Sequence, residues 1–484
     1  MFPSEKREIE TGVTPGTFAQ LIDHSNPSLG TFNQKFWFNH NWWNGTGSPI
    51  VLFAPTHDNA TGFSGFLLNT EELGGASIIL EHRYWGDSNP FETLITEYLT
   101  LENAIQDIIH FAQNVELPFA PDGTTATDCP WVLFGGSYAG GVVSWTASLY
   151  PDTFWAYYSS SGSMQAIESY WEYFVRIERG MAKNCSKDVA GVVDYMDNVF
   201  LHGSDQNITD LKAKFTGLES LQNNDLMNVI GLAPGMWQLG DPTDNHLFLT
   251  WCDYIANVNV TSTVSGPEGV GVEAALSGYV KWWNEAGHAF FREFLNCNTR
   301  GLNDYDCFDS HNASSVQYTD VSRRDLTLRS YQWLLCSQPF GLWQTGAPAG
   351  RPSLVSRLVD DEYFKRICGL YFPPGPDGVG YDKGRTVDDT NAYTGGWNPK
   401  NVSRIVYVDG EFDPWASLGV ASDFRPGGPL QSSEDVLVLT LPRGHHCTDM
   451  YAWLAPKYPE LQEVIDQALA QIVKWVGEWP GKKE

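Results

Sequence analysis

The chain has 484 residues, with 58 Asp and Glu against 30 Lys and Arg, a formal charge of −28, and 14% aromatic residues including 19 tryptophans. That aromatic load excludes a largely disordered chain, and the acidic surplus excludes nucleic-acid binding and a polybasic membrane contact. No run of about 18 apolar residues occurs, so no bilayer-spanning helix is expected. Residues 1–12 are charged and lack an apolar leader core, which reads as a mature form with Met1 as an added start.

The first third alternates strands and helices. Apolar runs fall at 49–53 (PIVLF), 76–80 (ASIIL) and 131–134 (WVLF). Their lack of polar alternation suits strands covered on both faces, as in a parallel sheet. Between them, Leu101, Ala104, Ile105, Ile108, Ile109 and Ala112 are spaced for one helix face. A further run, 154–160 (FWAYYSS), follows a helical stretch after Gly140. This order predicts an α/β fold.

From about residue 164 the character changes to amphipathic stretches such as 274–293, broken by Gly- and Pro-rich segments at 265–271 and 373–378. The sheet pattern resumes at 404–408 (RIVYV) and 435–441 (DVLVLTL), and a final helix covers 461–476. The expected organisation is an α/β-hydrolase core in two parts, 1–163 and 396–484, with a large, mostly helical cap inserted at 164–395.

Eight cysteines (Cys129, Cys185, Cys252, Cys297, Cys307, Cys336, Cys368, Cys447) include no C-x-x-C pair, which argues against a zinc or dithiol redox site. Their even count allows up to four disulfides of undetermined pairing. Seven N-x-S/T acceptor sites begin at Asn44, Asn59, Asn184, Asn207, Asn259, Asn312 and Asn401. Together these features point to a secreted glycoprotein, with an acidic lysosome- or vacuole-like lumen as the alternative.

Gly135-x-Ser137-x-Ala139 directly follows the 131–134 strand and precedes a small-residue helical stretch. That is the setting of a nucleophile elbow, where a sharp turn lifts a serine hydroxyl above the sheet. Alanine at the last position is tolerable if its φ is negative. In an α/β-hydrolase the acid and then the histidine follow on loops after later strands. Residues 409–415 (DGEFDPW) offer three carboxylates after the RIVYV run, and His445 and His446 follow DVLVLTL. A surface turn explains any one segment, but the combined order points to a serine hydrolase needing no metal or cofactor.

These residues also resemble the S28 serine peptidases, which include lysosomal prolylcarboxypeptidase, dipeptidyl peptidase II and fungal acid prolyl endopeptidases. The likeness rests on the Gly-Gly-Ser-Tyr elbow, Asp413-Pro-Trp415 and the Gly-x-His-x-x-Asp end, with Phe18-Ala-Gln20, Leu21-Ile-Asp-His24, Asn26, Thr31-Phe-x-Gln34, residues 81–88 (EHRYWGDS) and 332–337 (QWLLCS). It runs from about residue 16 to 476 and is nearest to the secreted fungal members. The resemblance maps the nucleophile onto Ser137 and the acid onto Asp413. It maps the base onto His446, three residues before Asp449, and leaves His445 as a neighbour. It implies cleavage after proline in peptide or protein substrates, with acid operation.

The Tyr138 backbone N–H is the expected oxyanion donor. By fold analogy a second donor is expected near residues 55–57. Trp415 is the candidate wall of an apolar proline pocket, with ordinary core packing as the bland alternative. Two departures bear on mode of action. Gly141 stands where mammalian exopeptidases carry methionine, which suggests a more open wall. Gln338 replaces the glutamate of the common Cys-x-Glu. With the cap expected to roof the site, both favour an endopeptidase over a Pro-X carboxypeptidase or dipeptidyl peptidase. A lipase or esterase on the same fold is the less favoured class. Monomer and homodimer are both compatible with the residues. Activity in acid is expected to require a lowered His446 pKa.

Overall fold

The computed structural model describes residues 12–56, 70–93, 96–120, 122–258, 266–322 and 326–481. The apolar runs at 49–53, 76–80, 131–134, 154–160 and 404–408 form the middle of a sheet because each has a hydrophobic face to bury on both sides, whereas the run at 435–441 forms a half-buried edge. The strands are β1 (Thr14–Leu21), β2 (Thr31–Asn39), β3 (Ile50–Phe53), β4 (Ala76–Leu80), β5 (Trp131–Gly136), β6 (Ala156–Ser160), β7 (Ile167–Ser169), β8 (Gly341–Trp343), β9 (Ile405–Gly410) and β10 (Val436–Leu441). Eight of them form one sheet in the order β1-β2-β4-β3-β5-β6-β9-β10. The pairs β1–β2 and β2–β4 are antiparallel, and the remaining pairs are parallel. This is an α/β-hydrolase fold.

The antiparallel pair β1–β2 is an addition to the expected strands. Phe32, Gln34, Phe36 and Phe38 are buried, the period-2 pattern of a strand with one covered face. Glutamine inside that series hides the pattern from a hydropathy reading. In the fold Gln34 accepts from Gln20 Nε2 at 2.9 Å and donates to the Glu81 carbonyl at 2.8 Å, so its burial is satisfied.

The helices that position the site are α1 (Leu101–Asn114), α2 (Tyr138–Leu149), α3 (Leu326–Ser337) and α4 (Pro459–Gly477). On α4, Leu461, Val464, Ala468, Ile472 and Trp475 form one buried face against Val132, Phe134, Val406 and Val408 of the sheet. Each leucine, valine or isoleucine among them, fully buried, contributes about 1.5–3 kcal/mol.

The chain forms two compact units. Among the described residues, one comprises those within Ser4–Ala166, Val321–Phe340 and Gly384–Glu484 and contains the large sheet; the other comprises those within Ile167–Asp320 and Gly341–Lys383. Residues 321–340 and 384–395, inside the stretch read as the insertion, therefore cluster with the sheet. Side-chain hydrogen bonds hold α3 there: Trp333 Nε1 donates to the Leu99 carbonyl at 2.8 Å, and Ser330 Oγ to the Tyr84 carbonyl at 3.4 Å.

The second unit is mostly helical, with β7 and β8 as a short parallel pair. Its helices Lys183–His202 and His246–Ile255 are joined by the disulfide Cys185–Cys252, and a second bridge links Cys297 to Cys307. Cys129 and Cys447, in the sheet unit, are buried free thiols, so four bridges are not formed. The amphipathic stretch at 274–293 is helical, with a π-turn at Trp283–Gly287.

Candidate active site

Strand β5 ends at Gly136, and Ser137 enters α2 with φ 59° and ψ −127°. This backbone lies outside the common regions for a side-chain-bearing residue and is strained by about 1–3 kcal/mol. Three main-chain bonds hold it: Ser137 N–H donates to the Ser160 carbonyl at 2.9 Å, and its carbonyl accepts from Gly141 N–H at 3.1 Å and from Ser163 N–H at 3.4 Å. The turn needs small residues because α2 approaches β6 closely. A Cβ on Gly140 would meet the Ser160 carbonyl oxygen at 2.6 Å. Ala139 lies inside the helix with negative φ, so alanine fits there.

Asp413 and His446, the expected acid and base, come from the loops after β9 and β10. Glu411 N–H bonds the Leu441 carbonyl and Phe412 N–H the Gly444 carbonyl, each at 2.9 Å, tying the two loops together. Asp413 is fully buried, and its Oδ1 accepts from Trp415 N–H at 2.9 Å. His446 Nδ1 lies 3.0 Å from Asp413 Oδ1 and 3.2 Å from Oδ2. Its Nε2 lies 2.9 Å from Ser137 Oγ. With a carboxylate at Nδ1, that nitrogen carries the proton, and Nε2 is left to accept from the serine hydroxyl. Burial disfavours a charge on this imidazole, but Cys447 and then the Asp413 carboxylate outweigh it and hold the pKa well above the ordinary histidine value. This direction is opposite to the lowered pKa expected for acid operation.

His446, rather than His445, occupies the position between serine and aspartate. The His445 N–H donates to Thr448 Oγ1 at 2.9 Å and its side chain is buried. Tyr138 is the first residue of α2, where backbone N–H groups find no acceptor within the helix. Its buried ring packs near Trp145 and Phe340, and its hydroxyl lies 3.1 Å from His82 Nε2. His82 Nδ1 is 2.7 Å from the Arg83 carbonyl, an arrangement that makes Nδ1 the donor and leaves Nε2 to accept from the tyrosine. His82 was legible only as part of the 81–88 motif, with no signal for its partner. Trp415 is half-buried, its ring centroid 6.0 Å from that of His446. Of the segment expected to supply a second oxyanion donor, Pro55 has no N–H and His57 lies outside the described residues.

Both departures from the family pattern take on different meanings in the fold. Gly141 does not open a wall: a Cβ there would lie 2.6 Å from the Ser163 carbonyl oxygen and 3.2 Å from the Trp145 ring. Gln338 is buried, and its Oε1 accepts from Leu101 N–H, the first helical residue of α1, at 2.9 Å. Among the described residues, no group of three or more His, Cys, Asp or Glu is placed to hold a metal ion. The serine–histidine–aspartate chain can take a hydroxyl proton at Nε2 and stabilise the resulting imidazolium, the chemistry of acyl transfer.

The model of the family described as serine carboxypeptidase S28 matches residues 20–466. Serine protease vicPa of Bipolaris victoriae (strain FI3) is 36% identical over 477 residues, covering 95% of this chain and 88% of that protein. A probable extracellular serine carboxypeptidase of Arthroderma benhamiae is 28% identical, covering 93% and 64% respectively. The thymus-specific serine protease of Mus musculus is 24% identical, covering 95% and 87%. With the matched segment running from β1 into α4 and including the elbow and both later loops, this chain belongs to the S28 family of serine peptidases.

Proposed function

We propose that this protein is a secreted peptidase that cleaves on the carboxyl side of proline, acting mainly within chains. The observation that carries the reading is the hydrogen-bonded series Ser137–His446–Asp413 at an elbow. Ser137 Oγ attacks the proline carbonyl carbon as His446 Nε2 takes its proton. The oxyanion accepts from Tyr138 N–H, and His446 then returns the proton to the leaving amine. Water, deprotonated by His446, cleaves the acyl-enzyme and frees Ser137. Asp413 holds the Nδ1–H tautomer throughout. The half-buried Trp415 ring beside His446 suits an apolar ring without an N–H, which supports proline at the cleaved bond.

The endopeptidase mode loses the support that an open Gly141 lent it, since that space is filled, and keeps only the absence of a terminus-capturing carboxylate at Gln338. Carboxypeptidase action is therefore a second reading, favoured by the names of the family and of the Arthroderma benhamiae relative. Two constraints bracket the working pH. Repulsion among 58 carboxylates limits its alkaline end. At its acid end, kcat/KM falls about tenfold per pH unit once His446 is protonated in the free enzyme.

The test is digestion of a proline-containing protein followed by mass spectrometry, for the wild type and for Ser137→Ala. Internal cuts after proline support the endopeptidase, and trimmed C-termini support the second reading. Turnover by Ser137→Ala, or cuts unrelated to proline, would overturn the corresponding part of the proposal.

A further inference from the structure

The turn that carries His446 is anchored by a carboxyl group that the proposed reaction does not use. Asp449 lies three residues beyond the histidine, in the short helical turn Thr448–Met450, and is buried. Its Oδ1 accepts from Ser160 Oγ at 2.6 Å and its Oδ2 from the Tyr158 hydroxyl at 2.9 Å. Both partners stand on β6. Cys447 N–H adds a third tie, to Ser161 Oγ at 2.9 Å. The Ser160 carbonyl meanwhile accepts the Ser137 N–H at 2.9 Å. One strand end thus holds the nucleophile through its backbone and the base through its side chains.

The titratable groups around Asp449 are Tyr158 on β6 and Asp413 on the acid loop, with Cys447 on its own turn facing Tyr158. Burial, with the Asp413 charge adding to it, pushes the Asp449 carboxyl up to about 6. Burying a carboxyl without a cation is unfavourable, so packing alone does not account for an acid at this position.

We propose that Asp449 is a positioning residue: through Tyr158 and Ser160 it fixes the His446 turn against the strand end that holds Ser137, and so sets the Nε2–Oγ distance. The proposal rests on the peptidase reading above. A misplacement of about 1 Å in such a pair costs about 10²-fold in rate. The ionised carboxylate accepts both hydroxyls at once. In the protonated acid one oxygen carries a hydrogen, and a hydroxyl must turn away.

The test compares wild type, Asp449→Ala, Asp449→Asn, Tyr158→Phe and Ser160→Ala by kcat and KM on a proline-containing peptide, rate of labelling by a fluorophosphonate, and Tm. Asp449→Ala is expected to lower kcat and labelling about 10²-fold with KM within about threefold, and Asp449→Asn, which keeps an acceptor oxygen, to regain about tenfold of that loss. In the wild type the acid limb of labelling should contain an inflection near the Asp449 value of about 6 that Asp449→Asn lacks. An Asp449→Ala enzyme with kcat within about threefold of wild type, or with the loss confined to KM, overturns the proposal. If Asp449→Ala fails to fold, Tyr158→Phe and Ser160→Ala decide, since each deletes one bond; unchanged labelling in both overturns it. Labelling that survives Ser137→Ala would instead refute the peptidase reading itself, so the two failures are separable.

Discussion

Of the cysteines in the sheet-bearing unit, Cys129 and Cys447 remain buried thiols and Cys336 is disulfide-bonded, whereas the helical unit closes Cys185–Cys252 and Cys297–Cys307 as bridges within itself. The contrast follows from what each backbone achieves unaided. Six parallel strands share ladders along their length, and all but the half-buried edge strand β10 bury both faces, so each strand is held by neighbours distant in sequence. The helical unit instead relies on separate helices, such as the 20 residues of Lys183–His202 and the 10 of His246–Ile255, whose internal hydrogen bonds fix nothing beyond themselves. A covalent link supplies the long-range constraint that the ladder supplies elsewhere. Every side chain of the candidate site belongs to the ladder-held unit.

Substitutions can break this comparison, beginning with the largest effect. Asp413→Asn should lower kcat by about 10³–10⁴-fold, because the histidine loses the carboxylate that holds its tautomer. Its Tm should stay near wild type, since an amide oxygen can still accept from Trp415 N–H. A Tm collapse would show that the acid loop holds the sheet unit together. Removing the bridge that spans 67 residues by Cys185→Ala with Cys252→Ala should cost about 4 kcal/mol on the loop-entropy account. Urea unfolding with separate probes for the two units should place that loss in the helical unit. An equal loss in the sheet unit would mean that the two unfold together.

Stability should also depend on pH in the direction set by buried carboxyls. Burial raises Glu81 and Asp449 in the sheet unit and Glu172, Asp197 and Asp225 in the helical unit. A carboxyl whose folded pKa is raised contributes stability that is fully present below its unfolded value and lost as pH rises through the folded value. For Asp449, between an ordinary 3.8 and about 6, that amounts to about 3 kcal/mol. Tm should therefore fall between pH 4 and pH 7, and a Tm that climbs over that interval would refute the sign. The smallest effect is expected from Gln338→Glu. A carboxylate at the start of α1 faces the Leu101 N–H with Arg385 nearby, so stability should change by less than about 1 kcal/mol. A large change in kcat/KM would return this position to the substrate site.

Much of the sheet could be read in advance, because apolar strands of a parallel sheet leave a local signature. β1 and β2 could not, since Gln20 and Gln34 occupy buried positions whose satisfaction depends on each other. The names Ser137, Asp413 and His446 emerged from strand-end order together with the family likeness. Asp449 entered only as a register mark, because its partners Tyr158 and Ser160 lie 291 and 289 residues away.

The amino-acid sequence by itself determined the α/β order, the elbow and the acidic character, all properties of neighbouring residues or of composition. Tertiary structure alone decided that His446 meets a serine 309 positions away at hydrogen-bond distance, that Gly141 is a tight contact, and that Gln338 caps a helix start. The physical reason is one of distance. Local pattern reports which face a side chain presents, whereas hydrogen bonding and close packing depend on separations of about 3 Å between atoms that only the folded chain brings together.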